Sequence, residues 1–122
     1  MPTYANLFPP QSLFPGDVGY SFNDESPSGG TAGAQFAVPE PAGIPGQGHT
    51  VRWQTIFASA PSAVSFSLQG AMDDVAAEYA TLDTSTATAG EARTVTGVRA
   101  RFLRIVCNSV TGGSGFTAKL LV

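Results

Sequence analysis

The sequence predicts an all-β fold: an antiparallel, jelly-roll-like β-sandwich carrying an extended Pro/Gly-rich N-terminal arm. Three observations predict it. From residue 50 onward, short stretches alternate apolar and polar residues with the period of a strand that buries one face. Glycine-rich turns separate these stretches, and no strong amphipathic helix competes with them. Eight of the nine prolines and eight of the fourteen glycines fall within residues 1–48. There proline's fixed φ and missing N–H exclude regular helix and remove ladder donors from any central strand. A chain of 122 residues is long enough for one core and too short for two. The expected division is therefore an arm over residues 1–48 and a sandwich over residues 49–122.

The arm is not composed like a disordered tail. It holds Asp17, Asp24, Glu25 and Glu40 with no Lys or Arg, yet Tyr4, Leu7, Phe8, Leu13, Phe14, Tyr20, Phe22 and Phe36 recur through it, and disordered segments lack such residues. We expect an extended segment that lies in grooves, on its own domain or on a neighbour, with side chains set into pockets. Leu7-Phe8-Pro9 and Leu13-Phe14-Pro15 repeat six residues apart, as a strand dipping twice onto a surface would require. The expected partner-binding anchors are Tyr4, Leu7, Phe8, Leu13, Phe14, Tyr20 and Phe22. Gly16-Asp17 reads as a turn. Residues 18–23 alternate Val18, Tyr20 and Phe22 against Gly19, Ser21 and Asn23, a short strand. A polar loop over 24–33, a brief strand over 35–38 and an irregular crossing over 39–48 complete this part.

Beyond His49 the pattern is more regular. Residues 50–57 alternate Val51, Trp53, Thr55 and Phe57 with Arg52, Gln54 and Ile56, and residues 62–70 alternate Val64, Phe66 and Leu68 with serines. Pro61 sits in the turn between them. Residues 75–82 read as a strand after the acidic turn Asp73-Asp74, with a short helix over 72–79 as the alternative. Residues 84–90 form a Ser/Thr/Ala loop. Strands are expected over 93–98, 100–107 and 116–122, with Gly112, Gly113 and Gly115 before the last. Alternation puts Arg99 and Arg101 on one side of their strand and Arg104 on the other, so the arginines form no basic stripe. Arg104 is expected to pair with Asp83 or Glu91.

Chemistry-bearing patterns are few. The net charge is −3 and no block of Lys or Arg exists, which argues against nucleic-acid binding and against attraction to anionic membranes. Cys107 is the one cysteine; it excludes an intrachain disulfide and reads as a small buried hydrophobe. The N-terminal MPTYANLFPP has neither the basic nor the apolar region of a signal peptide, so synthesis in a cytosol is expected. His49 stands without a nucleophile in an elbow context, and one His with one Cys does not close a zinc sphere. The cluster Asp73, Asp74, Glu78 and Asp83 lacks calcium-loop spacing and reads as a solvated turn. Trp53, inside an alternating strand, reads as core in preference to a sugar platform. No enzyme activity, cofactor or metal is expected.

Four stretches carry a resemblance: Val64-Ser65-Phe66-Ser67-Leu68-Gln69-Gly70, then Asp73-Asp74, then Tyr79-Ala80-Thr81-Leu82-Asp83, then Ala100-Arg101-Phe102-Leu103-Arg104-Ile105. In this order they resemble the framework strands of discoidin-type, galactose-binding-like β-sandwiches of bacteriophage virion proteins. The resemblance implies a small phage structural protein of the capsid decoration or cement type. Such a protein would be made in the host cytoplasm, sit on the virion's capsid surface, bind the major capsid protein through its arm and associate with sister subunits, in the family commonly as a homotrimer. Where the family has serine and one acidic residue after LQG, this chain has Ala71-Met72-Asp73-Asp74, and the sugar-binding loops find no match, so carbohydrate binding is not implied. The alternatives are a carbohydrate-binding module of a phage fibre or tail, using Trp53 or the 84–90 loop, and a tail or neck component. Removing residues 1–22 is expected to leave the sandwich folded and abolish capsid binding.

Overall fold

The computed structural model describes residues 11–13, 16–38 and 48–122. Among them lie ten strands: β1 (Gln11–Ser12), β2 (Val18–Glu25), β3 (Thr31–Ala32), β4 (Phe36–Ala37), β5 (His49–Ser59), β6 (Ala63–Ala71), β7 (Ala80–Ser85), β8 (Ala92–Val98), β9 (Phe102–Thr111) and β10 (Ser114–Leu121). One sheet has the order β1-β4-β9-β6-β7, with β3 also paired to β9; the other has the order β2-β10-β5-β8. Every pairing is antiparallel except the short parallel contact of β1 with β4.

Period-2 alternation explains the strands directly. Val51 and Trp53 of β5, Val64, Phe66 and Leu68 of β6, Leu103, Ile105 and Cys107 of β9, and Phe116, Ala118 and Leu120 of β10 all point into one shared core. Burying each large apolar side chain stabilises the fold by about 1.5–3 kcal/mol. Phe66 joins the two sheets: its ring lies 5.7 Å from Phe22, 6.0 Å from Phe57 and 6.3 Å from Phe116, all on the opposite sheet. Cys107 is fully buried, and desolvation pushes its thiol up to about 11, which suits the small hydrophobe expected of it. Between β9 and β10 the chain changes sheet in two residues, Gly112 and Gly113, both at positive φ; side chains there would strain the turn.

The 72–79 segment takes neither expected form alone. A single 3-10 turn, Ala76–Glu78, precedes β7, because the stretch is too short for helix propagation to offset nucleation. The 100–107 strand begins later, at Phe102, and runs on to Thr111.

The larger difference lies near the N-terminus. Leu13, Phe22, Phe36 and Val38 belong to the same core as the later strands, and β2 is laddered to β10 from Val18 to Glu25. Within the described residues, this stretch is part of the sandwich and not an appendage to it. A bulge explains why simple alternation misassigns its faces. Lys119 pairs with Tyr20 and Ala118 with Phe22, so Ser21 is an extra residue in the ladder. One extra residue flips the side chains beyond it to the other face. Val18 and Tyr20 therefore look outward and Phe22 looks in. The Ser21 hydroxyl pins the bulge: it donates to Ala34 O at 3.1 Å and accepts from Ile105 N at 3.1 Å.

Candidate functional site

The expected anchors separate into three groups. Leu13 and Phe22 are core residues, 3% and 1% exposed; Phe22 is out of a partner's reach in the folded chain, and Leu13 shows only an edge to the surface. Tyr20 is outward and 49% exposed, beside Val18 at 45%. Tyr4, Leu7, Phe8 and Phe14 lie outside the described residues. Tyr20 borders a groove of about 560 Å³ whose lining includes Leu13, Asp17, Val18, Asn23 and Phe36. The Lys119 ammonium lies 5.9 Å from the Tyr20 ring centroid, a cation–π contact across the ladder.

A second constellation closes the side where β7 and β8, the edges of the two sheets, come together. Asp83 on β7 receives a bidentate clamp from Arg93 on β8, Nε at 2.7 Å and Nη2 at 3.1 Å, and also the Trp53 indole N–H at 2.9 Å. Glu91 accepts from Arg93 Nη1 at 3.3 Å and from Ser85 Oγ at 2.7 Å, and its own N–H donates to Thr55 Oγ1 at 3.3 Å. Partial burial works to raise the Asp83 carboxyl, but the bonds from Arg93, Trp53 and the Thr84 backbone prevail and hold it below the usual carboxylate range. Charged residues turned toward the interior of an edge strand also blunt edge-to-edge association. Trp53 is 1% exposed and its one donor is used here. It cannot serve as the sugar-stacking platform of the carbohydrate alternative.

The pairing expected of Arg104 belongs instead to Arg93. Arg104 on β9 points to the outer face of the six-stranded sheet, where its Nε donates to Gln69 Oε1 at 2.9 Å and its guanidinium carbon lies 4.0 Å from the Tyr79 ring centroid. The Tyr79 hydroxyl donates to Asp74 at 2.8 Å, and Gln35 reaches the same carboxylate oxygen at 3.4 Å. Desolvation raises the Tyr79 phenol, with the Asp74 hydrogen bond adding to it, and desolvation lowers Arg104. Arg104 Nη1 is buried without a hydrogen-bond partner. Along the same face Asn108 donates to Ser65 at 3.2 Å and to Ser67 at 2.7 Å, and Ser67 shares a hydrogen bond with Thr84 at 3.0 Å.

At one end of the sandwich a cavity of about 250 Å³ opens among Gly70, Met72, Glu78, Leu82, Arg99 and Ala100. Sequence reasoning missed it. Gly70 in the LQG stretch was the available signal, because a Cβ there would lie 2.7 Å from Ala100 Cβ and 3.0 Å from Leu82 Cδ1, and close approach of this kind selects glycine.

Among the described residues no group of three or more His, Cys, Asp or Glu could hold a metal ion, and no helix is long and apolar enough to cross a membrane. No protein-family model, curated protein or solved structure matches the chain.

Proposed function

We propose that this chain is a structural protein of a bacteriophage virion, a jelly-roll-like sandwich that decorates the capsid by binding the outer surface of the major capsid protein shell. The observation that carries this reading is the outward face of β2. Val18 and Tyr20 stand exposed beside the 560 Å³ groove, at the point where the N-terminal residues join the sandwich. Exposed apolar side chains grouped in this way mark interaction surfaces. An arm formed by the residues before Gln11, with Tyr4, Leu7 and Phe8, would extend that contact. The ordering cost of an arm is tolerable where many copies sit on a fixed lattice. The passage of the chain back and forth between sheets, from β5 to β6, β7 to β8, β8 to β9 and β9 to β10, supports the jelly-roll-like description.

The test is co-sedimentation with shells assembled from the major capsid protein. Truncation must stop before β1, because removing residues 1–22 would delete Phe22 from the core and take most of β2 from β10, leaving β10 with β5 alone along much of its length. A chain lacking residues 1–10 should keep the wild-type β-sheet circular dichroism and lose most of its occupancy on shells. Full-length protein that fails to bind shells, or a truncated chain that binds them as well as the full one, overturns the reading.

A further inference from the structure

We infer that the end of the sandwich built by residues 70–82 and 99–100 is a self-complementary contact surface for a second copy of this chain, related by a two-fold axis. Met72 is 74% exposed, Val75 47% and Leu82 37%. These are three of the six large hydrophobic residues exposed among the described ones; Met72 and Leu82 line one cavity, and Val75 lies in the segment that joins them. Beside Met72 lies the cavity of about 250 Å³, with Gly70 and Ala100 among the residues that line it and Leu82 along it. The same cavity is bordered by one acid, Glu78, and one base, Arg99. Neither makes an ion pair among the described residues, where both ion pairs run through Arg93.

A projection next to a hollow, and an anion next to a cation, is the arrangement an isologous interface needs. When two identical patches face each other across a two-fold axis, each presents its projection to the other's hollow and its acid to the other's base. Two copies so placed set each Met72 into the partner cavity and each Glu78 against the partner Arg99. Methionine suits the task, since its unbranched side chain adapts to an irregular hollow. The small side chains of Ala76 and Ala77 in the 3-10 turn let the backbones approach. A partner of different sequence would have to mirror both the shape and the charge order, which a second copy supplies by symmetry.

The inference does not rest on the capsid reading, since it concerns the free chain. Sedimentation equilibrium of the full chain over a concentration series should show a reversible monomer–dimer equilibrium. Met72→Asp should weaken it by about thirtyfold, as loss of a central apolar anchor does. Glu78→Arg and Arg99→Glu should each weaken it, and the double variant Glu78→Arg/Arg99→Glu in one chain should restore it. Met72, Glu78 and Arg99 are all exposed, and circular dichroism checks that each variant is folded. A wild-type chain that stays monomeric, a trimer, or a double variant no tighter than its single parents overturns the two-fold arrangement.

Discussion

The two outer faces of the sandwich are built differently. On the six-stranded sheet, Ser67, Arg104 and Val106 point away from the core yet are buried; the Tyr79 ring lies over Arg104, and its hydroxyl donates to Asp74, which Gln35 also reaches. Polar groups there are paired with one another, Asn108 with Ser65 and Ser67, Ser67 with Thr84, Arg104 with Gln69. On the four-stranded sheet, Val18, Tyr20 and Ile56 face outward and remain 40–49% exposed. Most polar side chains of the first face are committed to partners inside the chain, whereas the apolar side chains of the second are not. Burial away from the core thus marks structure, and bare apolar area on a sheet face is where a partner can gain contact.

The most severe test of this contrast lies within β2, where residues two apart fall on opposite sides of the Ser21 bulge. Phe22→Ala should destabilise the chain by about 3–5 kcal/mol, the range for an aromatic deleted from a packed core. Tyr20→Ala should cost no more than about 1 kcal/mol, the scale of an exposed cation–π contact with Lys119, while lowering occupancy on capsid shells. Urea denaturation measures both. Equal costs at the two positions would mean that the bulge does not separate an inner from an outer face.

The seam that joins the two faces offers a smaller, pH-dependent effect. Asp83 has a folded-state value below its ordinary one, so its contribution is fully present above the unfolded carboxylate value, near pH 3.9, and is lost as pH falls through the folded value. Asp83→Asn keeps an oxygen for the Trp53 indole and removes the charge that Arg93 clamps. At neutral pH it should be less stable than wild type by about 1 kcal/mol, the upper range for a partly exposed ion pair with good geometry. In acid the two stability curves should converge, because the wild-type carboxyl is then protonated. Parallel curves down to the acid limit would assign the seam's stability to groups other than this pair.

These tests also mark what can be read from the chain alone. The strands around Val51 and Trp53, Val64 to Leu68 and Phe116 to Leu120 are legible because alternation over six or more residues states both the element and its buried face. The role of Phe22 is not, because a bulge shifts the alternation by one and Ser21 carries no sign of it until Ala34 and Ile105 are brought alongside. Leu13 and Phe36 likewise look like arm residues until β1, β4 and β9 are set side by side. Arg93 takes the pairing expected of Arg104 for a similar reason. Periodicity assigns a side chain to a face but does not say which strand lies next to it, and the clamp depends on Trp53 standing opposite Arg93 in the β5–β8 ladder. The end cavity depends on the approach of Gly70 to Ala100, thirty positions apart in sequence, and no local pattern encodes that.

The smallest expected effect tests the covered face itself. Arg104 takes a charge out of water and keeps Gln69 and the Tyr79 ring as compensation, but Nη1 finds no partner. A buried charge so incompletely satisfied contributes little net stability, and apolar residues of similar length replace such groups at little cost or with a gain. Arg104→Met should therefore lie within about 1 kcal/mol of wild type by urea denaturation, with Tyr79 packing on the thioether as it does on the guanidinium. The same substitution should leave shell binding unchanged if, as proposed, the outward face of β2 meets the shell. A variant that keeps its stability but loses occupancy on shells would reverse the assignment of the two faces, and the layer over Arg104 would then be the part that a partner displaces.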